Sequence, residues 1–306
     1  MNSYEPANRI AVIENLSKYF KDTKALGNIN LCIKSGQVTS ILGPNGAGKT
    51  TLINILLGRL SASEGHVEIF SRAPGDIVVK RKCGAMLQVS SLPDTLTIKE
   101  HLELFQSYYS NPMDYQTLIE LADLVDIEHR FSKNLSGGQK QKLLFALAIC
   151  GNPKLLFLDE PSVGLDVKAR KNLWKAINRL KQQGTGIVLT THYLEEADHL
   201  SDHIVMLNNG QIIQEGTPEE IKQAVNFKKI IFKSSLPLSA LSELEATTEV
   251  AKSGTYFEIK TTNTAASMKI IFDLVEDISE LTITAAALED AFIQLNEPST
   301  TNNLAA

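Results

Sequence analysis

The chain has 306 residues, of which 43% are hydrophobic and 21% are charged, and its formal net charge is −5. These values are ordinary for a soluble globular protein and allow one large domain with a small one, or two medium domains. The negative charge argues against a general nucleic-acid-binding protein, whose surface is usually basic. The longest apolar runs, such as residues 143–150, fall well short of the ~20 residues that span a bilayer, and the polar residues 1–9 carry no signal-peptide core.

Short runs that alternate apolar and polar residues, typical of β-strands, open the chain. We expect strands over residues 10–13, 29–33, 38–42, 66–70 and 83–89. Turns are predicted at Gly27 and Gly36, because glycine commonly interrupts such patterns.

The pattern becomes helical between residue 96 and about residue 150, with Leu102, Phe105 and Tyr109 on one face. Strand patterns then return over residues 155–158, 187–191, 204–207 and 211–214, and a helix is predicted over 167–182. A helical block between strand-rich segments predicts a helical subdomain, about residues 90–150, inserted into an α/β core.

The last part of the chain mixes both patterns after a turn and helix start at residues 216–220. We expect strands over 227–233, 256–261 and 281–284 and helices over 265–274 and 288–295. The sequence therefore predicts a first domain over residues 1–220, a small C-terminal α+β domain over 221–296, and a disordered polar tail over 297–306.

A glycine-rich segment joins the strand over 38–42 to apolar residues at helical spacing. Its residues are Gly43, Pro44, Asn45, Gly46, Ala47, Gly48, Lys49, Thr50 and Thr51. Glycines let several backbone N–H groups converge on an anion, and the start of a helix adds partial positive charge. Lys49 then reaches the β- and γ-phosphates, and the Thr50 hydroxyl is placed for Mg²⁺. The segment predicts nucleotide binding.

Two carboxylates, Asp159 and Glu160, follow the apolar run at residues 155–158. In a doubly wound sheet, ligands bind at the carboxyl ends of the strands, which would bring these groups near a phosphate held by the glycine-rich segment. We expect Asp159 to hold Mg²⁺ through water and Glu160 to polarise an attacking water.

A further helix start carries Leu-Ser-Gly-Gly-Gln at residues 135–139. A serine and two glycines there form a second anion-binding helix terminus. By themselves the residues favour an N-cap with a flexible turn over an anion site.

The order of these segments resembles the nucleotide-binding subunit of ATP-binding cassette (ABC) transporters. Residues 43–51 resemble the Walker A motif, Gln88 the Q-loop, residues 135–139 the signature motif, residues 155–160 the Walker B motif, residues 162–166 the D-loop and His192 the switch histidine. The resemblance implies a P-loop NTPase cassette, a mixed-sheet core with an inserted helical subdomain. Lysines at 140 and 142, where arginines are common, and the D-loop Ser-Val-Gly-Leu-Asp depart from the usual pattern but remove no group that the chemistry needs.

The resemblance also implies a head-to-tail dimer of two cassettes around two ATP molecules. Because the chain holds a single set of motifs, a second copy of itself is the simplest partner. Ser136 and Gly138 would then contact the γ-phosphate held by the opposite Lys49. Glu160 would be the general base, His192 would hold the γ-phosphate and the attacking water, and Mg²⁺ would be held by Thr50, Gln88 and Asp159.

For adenine, the family usually stacks an aromatic residue from the first strand region. The segment Leu16-Ser17-Lys18 aligns Phe20 with that position, and Tyr19 is the rival. Both rings could also be plain core or edge aromatics.

Near the C-terminus, Leu288-Glu-Asp-Ala-Phe-Ile-Gln-Leu resembles the close of daunorubicin-resistance-like single-cassette ATPases. The match implies a separate membrane permease, export, and a place on the cytoplasmic face of the membrane.

Leu102, Phe105, Tyr108 and Tyr109 either line a groove for a short cytoplasmic helix of the permease or form the subdomain core. We expect Gln88 to link Mg²⁺ occupancy to this groove.

Two other classes compete with the transporter. A non-transport cassette acting on nucleic acid or the ribosome is disfavoured, because the intervals between motifs are short and show no heptad run. A regulator that only binds nucleotide is disfavoured by Glu160 and His192.

Overall fold

Two long strands, β1 (Arg9–Phe20) and β2 (Thr23–Lys34), form an antiparallel hairpin at the start of the chain. The computed structural model describes residues 8–87, 92–225, 227–241, 249–275 and 277–296. By its internal contacts the chain divides into two compact units, Met1–Pro218 and Glu219–Ala306. The sequence predicts the domain boundary after residue 220, and the predicted tail, 297–306, lies outside the described residues.

In its described residues, the first unit contains seven further strands and seven α-helices. The strands are β3 (Val38–Leu42), β4 (Glu64–Ile69), β5 (Cys83–Met86), β6 (Leu155–Asp159), β7 (Gly186–Thr190), β8 (His203–Asn208) and β9 (Gln211–Gly216). The helices are α1 (Lys49–Leu56), α2 (Ile77–Lys82), α3 (Ile98–Gln106), α4 (Tyr115–Leu121), α5 (Gly137–Ile149), α6 (Val167–Gln182) and α7 (Leu194–Leu200). Helix α8 (Pro218–Gln223) begins at the division between the units.

The strands of the first unit form two sheets. Antiparallel β1 pairs with β2 and β4, giving the order β2-β1-β4. The second sheet has the order β5-β6-β7-β3-β8-β9, in which the first five strands are parallel and β9 is antiparallel to β8. Parallel strands are usually buried on both faces, and β3 and β7 are buried along their whole length. Strand β7 lies between β3 and β6, so the carboxyl ends of these three strands meet at one edge.

Alternate residues of β6 enter two different hydrophobic cores. Leu155 and Phe157 pack with the three-stranded sheet and α1, whereas Leu156 and Leu158 pack with α3, α4, α5 and α6. This alternation follows from the period of two in a strand. The central sheet therefore joins the antiparallel sheet on one side to the helical block on the other.

The turn predicted at Gly27 is wrong, because this residue lies inside β2. The hairpin reverses instead between Phe20 and Thr23, which pair directly, and Lys21 adopts a positive φ of 51° there. The backbone N–H of Gly27 donates to the carbonyl of Gly210 at 2.8 Å, so the glycine marks a close approach of two backbone segments. The turn at Gly36 lies between β2 and β3, as expected.

The helical block is more divided than its periodicity predicts. Helix α3 ends at Gln106, so Tyr109 follows the helix and does not share its face with Leu102 and Phe105. By contrast, α6 has the predicted bounds, since Asp166 caps its first turn by accepting from the N–H of Ala169 at 2.8 Å.

The second unit contains an antiparallel sheet of order β11-β12-β10-β13. Its elements are β10 (Lys228–Lys233), β11 (Glu249–Ser253), β12 (Tyr256–Thr261), α9 (Thr264–Leu274), β13 (Ser279–Ala285) and α10 (Leu288–Asn296). Phe232 and Phe257 stack at 5.3 Å between ring centroids and pack with Ile271 of α9 in a separate core. Throughout the described parts of both units, no helix is long and apolar enough to cross a membrane.

Candidate active site

The glycine-rich loop connects buried β3 to α1, as the sequence predicts. Gly48, the N-cap of α1, has φ 106° and no side chain to accept a capping hydrogen bond. A Cβ at this position would lie 2.7 Å from Leu26 Cδ2 and 2.8 Å from the carbonyl oxygen of Ala25. Only glycine fits both the conformation and the space, and the N–H groups of the first helical turn stay available to an anion.

Lys49, the first residue of α1, folds its side chain back over this loop. Its ammonium donates to the carbonyl oxygens of Gly43 at 2.6 Å and Pro44 at 3.0 Å. Burial lowers the pKa of Lys49, and the nearby carboxylates of Glu160 and Asp159 oppose that shift. A cation therefore lies at the mouth of the loop, where phosphates are expected.

A cavity of about 550 Å³ brings the separate motifs together. It is lined by Ala25, Asn45, Gly46, Ala47, Gly48, Lys49, Thr50, Thr51, Ile53, Asn54, Arg59, Leu87, Asp159, Glu160 and His192. Its walls come from the loop after β3, the carboxyl end of β6 and the residues after β7, which meet at one edge of the sheet.

Asp159 and Glu160, at the end of β6, have different hydrogen-bond partners. Thr190 Oγ1 donates to Asp159 Oδ1 at 2.5 Å, so the last residue of β7 orients the last residue of β6. Glu160 has φ 52°, a conformation uncommon outside glycine. Its backbone is held by hydrogen bonds in which Glu160 N donates to Thr190 O at 3.0 Å and Gln141 Nε2 donates to Glu160 O at 3.1 Å.

The Glu160 carboxylate is bound by His192 at two points. The backbone N–H of His192 donates to Glu160 Oε2 at 3.1 Å, and His192 Nε2 lies 3.1 Å from Glu160 Oε1. Burial raises the pKa of Glu160, while the N–H and imidazole of His192 lower it and the charges of Asp159 and Glu196 raise it. A carboxylate with a raised pKa in a cavity next to a phosphate loop is suited to accept a proton.

The donor set of the cavity fits Mg²⁺. Thr50 and Asp159 offer a hydroxyl and a carboxylate, and Mg²⁺ prefers oxygen ligands from one or two carboxylates together with substrate phosphates. In the described ranges, no group of three or more His, Cys, Asp and Glu side chains could hold a metal by itself. Gln88, the third predicted ligand, lies outside the described residues.

The predicted contacts to a partner's nucleotide lie elsewhere. Ser136 is the exposed N-cap of α5, where Ser136 Oγ accepts from Gln139 N at 3.3 Å and Gln139 Oε1 accepts from Ser136 N at 3.0 Å. Of the residues that the structure describes, neither Ser136 nor Gly138 lines the cavity. The N-cap is therefore present, and anion binding at this helix start stays a prediction.

The two candidate adenine aromatics lie at the end of β1. Phe20 is 45% exposed and Tyr19 is 37% exposed, so either ring can be reached from solvent. Within the described ranges, neither ring is part of the cavity wall. Ala25 of β2 does line the cavity. The choice between them stays a prediction.

Comparison with known proteins identifies the family to which the chain is related. An ABC transporter family model matches residues 26–163. The daunorubicin resistance ATP-binding protein DrrA3 of Streptomyces coeruleorubidus is 35% identical over 226 residues, which cover 71% of each chain. The chain belongs to the ABC transporter family.

Other relatives of this ABC cassette differ in length, and one of them is named as an import protein. ABC transporter G family member 20 of Dictyostelium discoideum is 38% identical over 67% of the chain, but the match spans only 29% of that protein. The spermidine/putrescine import ATP-binding protein PotA of Borrelia garinii is 38% identical over 70% of the chain and 64% of the relative.

A solved structure of the ATP-binding cassette MJ0796, described as dimeric, post-hydrolysis and bound to ADP and Pi, has the same fold. It is 28% identical, has a TM-score of 0.61, and covers 68% of this chain and 98% of its own. The P-loop NTPase ABC fold expected from the motifs is confirmed, and the chain is an ATPase of this family.

Some residues of this ABC site were not found by sequence reasoning. Gln141 contacts the carbonyl of Glu160 across 19 positions of sequence, and Thr190 orients Asp159 across 31. Asn54 and Arg59 line the cavity from α1 and beyond it. The sequence shows that Gln141 follows the signature segment and that Thr190 lies in the predicted strand 187–191. It does not show which residues these side chains contact, because packing determines that.

Proposed function

We propose that the chain is the ATP-hydrolysing subunit of an exporter, in which two copies pair around two ATP molecules and drive a separate membrane permease. The observation that carries this proposal is the division of the motifs. Lys49, Asp159, Glu160 and His192 share one cavity, whereas among the described residues Ser136 is not part of its wall. A second copy would supply the missing signature segment.

Pairing is supported by the relative whose structure is dimeric and bound to ADP and Pi. In a head-to-tail pair, each exposed Ser136 would face the phosphates held by the other copy's Lys49. The helix start after Ser136 would add N–H groups and partial positive charge to those already offered by α1.

Hydrolysis requires a water to lose a proton as its oxygen attacks the γ-phosphorus. In the proposed reaction Glu160 accepts that proton, the bond from the γ-phosphorus to the ADP oxygen breaks, and ADP and phosphate leave. His192, 3.1 Å from the Glu160 carboxylate, holds the base and would also contact the γ-phosphate. Mg²⁺, held by Thr50 and Asp159, would neutralise charge on the phosphates. Lys49 stabilises the charge that develops on the transferred group.

A complementation assay tests whether the two halves of the site come from different copies. Lys49→Ala removes the phosphate cation, and Ser136→Asp keeps an N-cap while placing a negative charge against the γ-phosphate. Each variant alone should be nearly inactive. In a mixture, heterodimers of these two variants have one intact composite site, so we expect about a quarter of wild-type ATPase activity.

The matched control is a mixture of Lys49→Ala with Glu160→Gln. Both changes fall on the same side of a composite site, so every site in such a heterodimer is defective and activity should not return. Equal recovery in both mixtures, or recovery in neither, would contradict the shared site.

A second cleft supports the permease contact. It has a volume of about 370 Å³ and lies among α1, α2, β5, α3 and α5. Phe105 and Tyr109 line it, whereas Leu102 is fully buried in the core. Tyr108, 65% exposed, is not in the cleft wall in the described part of the chain. The apolar cleft would bind a short amphipathic helix of the permease.

Substitution in this cleft separates docking from catalysis. Tyr109→Asp should weaken co-purification with the permease from detergent while leaving the ATPase activity of the isolated chain unchanged. Tyr108→Asp, an exposed neighbour outside the cleft, is the control. If the Tyr109 variant copurifies normally, the cleft is not the docking site.

The direction of transport is proposed from the relatives. The daunorubicin resistance protein, matched over 71% of both chains, supports export, and the C-terminal resemblance agrees with it. The putrescine importer ATPase, matched over 64% of its length, is the alternative. Drug efflux measured from membrane vesicles containing the chain and its permease would decide between them.

A further inference from the structure

One buried carboxylate near the active site is not used by the proposed chemistry. Glu196 lies on α7 and is completely shielded from solvent. Its Oε1 accepts from Trp174 Nε1 at 2.9 Å, and its Oε2 accepts from Ser162 Oγ at 3.1 Å. Burial of a carboxylate is costly unless its oxygens are hydrogen-bonded. Breaking either hydrogen bond would therefore be unfavourable, and the two bonds hold Trp174 and Ser162 in place.

The contacts of Glu196 join the two loops that carry Glu160 and His192. Ser162 lies two positions after Glu160, on the loop that leads from β6 to α6. Glu196 lies four positions after His192, on the helix that follows the loop after β7. A single carboxylate therefore connects the loop that carries Glu160 (the base loop) to the loop that carries His192 (the histidine loop).

Helix α6 supplies a common support for both loops. Trp174 of α6 donates to Glu196, and Asp166 at the end of the base loop caps the same helix. Arg170 of α6 lies 4.6 Å from the ring centroid of Tyr193, the residue next to His192. Both loops are thus fixed to one rigid element, and Glu196 is where their attachments meet.

We propose that Glu196 is a positioning residue that keeps Glu160 and His192 at the separation hydrolysis requires. The inference rests on the proposed role of Glu160 as the base. Small displacements of a catalytic group reduce the rate strongly, because the reacting atoms must lie within about 3–3.5 Å of each other. Glu196 is not in the cavity wall formed by described residues, so its effect falls on turnover and not on nucleotide binding.

The test compares kcat and KM for ATP in full-length variants. Glu196→Ala should lower kcat about tenfold or more and leave the KM for ATP within about twofold, because the phosphate loop is untouched. Glu196→Gln should restore most of the kcat, since the amide can accept from Trp174 and donate to Ser162. Ser162→Ala, which breaks one arm alone, should give an intermediate kcat.

The control is Glu195→Gln, which removes a neighbouring carboxylate that is exposed on the same helix. It should behave as wild type. All assays are run well below the melting temperature of each variant, so that a loss of stability alone leaves kcat unchanged.

The result that overturns the proposal is a Glu196→Ala protein that is folded and turns over ATP at the wild-type kcat. Failure of the proposed function looks different, because Glu160→Gln would then retain its kcat as well. If Glu196→Ala does not fold, Ser162→Ala and Glu196→Gln test the proposal instead. A wild-type kcat in both of these variants rejects the positioning role.

Discussion

At the scale of single residues, Glu160 combines a strained backbone with a heavily restrained side chain. A positive φ in a residue with a Cβ costs about 1–3 kcal/mol and persists only where the surroundings fix it. Thr190, Gln141 and His192 each hydrogen-bond Glu160, which is enough to fix it. The strain places the carboxylate in the cavity and its backbone against β7 and α5.

The pH dependence of hydrolysis should reflect the raised pKa of Glu160. The base must be ionised, so kcat should fall as the pH drops through this pKa, at a pH above the ~4.3 of an ordinary glutamate. Glu196→Gln removes a negative charge that raises the pKa of Glu160, so the acidic limb of the kcat profile should move to lower pH.

The measurement is kcat from pH 5 to 9 at saturating ATP for both proteins, with Glu195→Gln as the exposed-carboxylate control. A limb that moves to higher pH in Glu196→Gln would contradict the assigned charge interaction.

Lys49 is the second residue with a direct prediction. Lys49→Ala should lower ATPase activity roughly 100-fold or more, as expected when a preorganised charge at the transferred group is lost. Lys269→Ala, on an exposed position of α9, is the control and should have wild-type activity. Unchanged turnover in Lys49→Ala would disprove the assignment of the phosphate loop.

Most of the candidate site could be predicted from the residue types in the sequence, but only for residues that belong to contiguous motifs. The glycine-rich loop, Asp159, Glu160 and His192 could be expected at one edge of the sheet, because each follows a predicted strand. Gln141 and Glu196 could not, because their partners are set by helix packing. A buried carboxylate on a short helix reads as an ordinary polar position until its neighbours are known.

At the scale of elements, the loop before α1 depends on the conformation of Gly48. Gly48→Ala should destabilise the protein, since it adds a positive-φ strain of about 1–3 kcal/mol and a collision with Leu26 and Ala25. Gly46→Ala is the matched variant, with φ 82° and no described atom within 4 Å of its added Cβ. Thermal unfolding should show a larger drop in melting temperature for Gly48→Ala, and equal drops would contradict the collision.

Helices and strands were predicted best where the capping residue and the apolar pattern indicated the same bounds. Helix α6 has an aspartate N-cap and a clear apolar face, and its bounds were predicted in full. The turn predicted at Gly27 is wrong because this residue lies inside β2 and donates its backbone N–H to the distant Gly210. Tyr109 misled because the period of three to four residues continued past the real end of α3.

At the scale of the whole molecule, hydrolysis and association should be linked. Glu160→Gln blocks proton transfer while preserving the hydrogen bond from His192 N, so ATP should accumulate in a paired state. Size-exclusion chromatography with light scattering should show twice the 33.6 kDa chain mass when ATP is present and a single chain when it is absent. A variant that stays monomeric with ATP and keeps full turnover would refute the role of Glu160.

Trp174 gives the protein a built-in optical probe. It is the single tryptophan of the chain, and its indole N–H is bonded to the carboxylate that joins the two catalytic loops. Indole emission responds to the polarity and hydrogen bonding around the ring, so its wavelength and intensity follow the state of this one junction. Stopped-flow fluorescence of the unlabelled protein can therefore time loop movement during an ATP cycle, and Trp174→Phe supplies the dark reference.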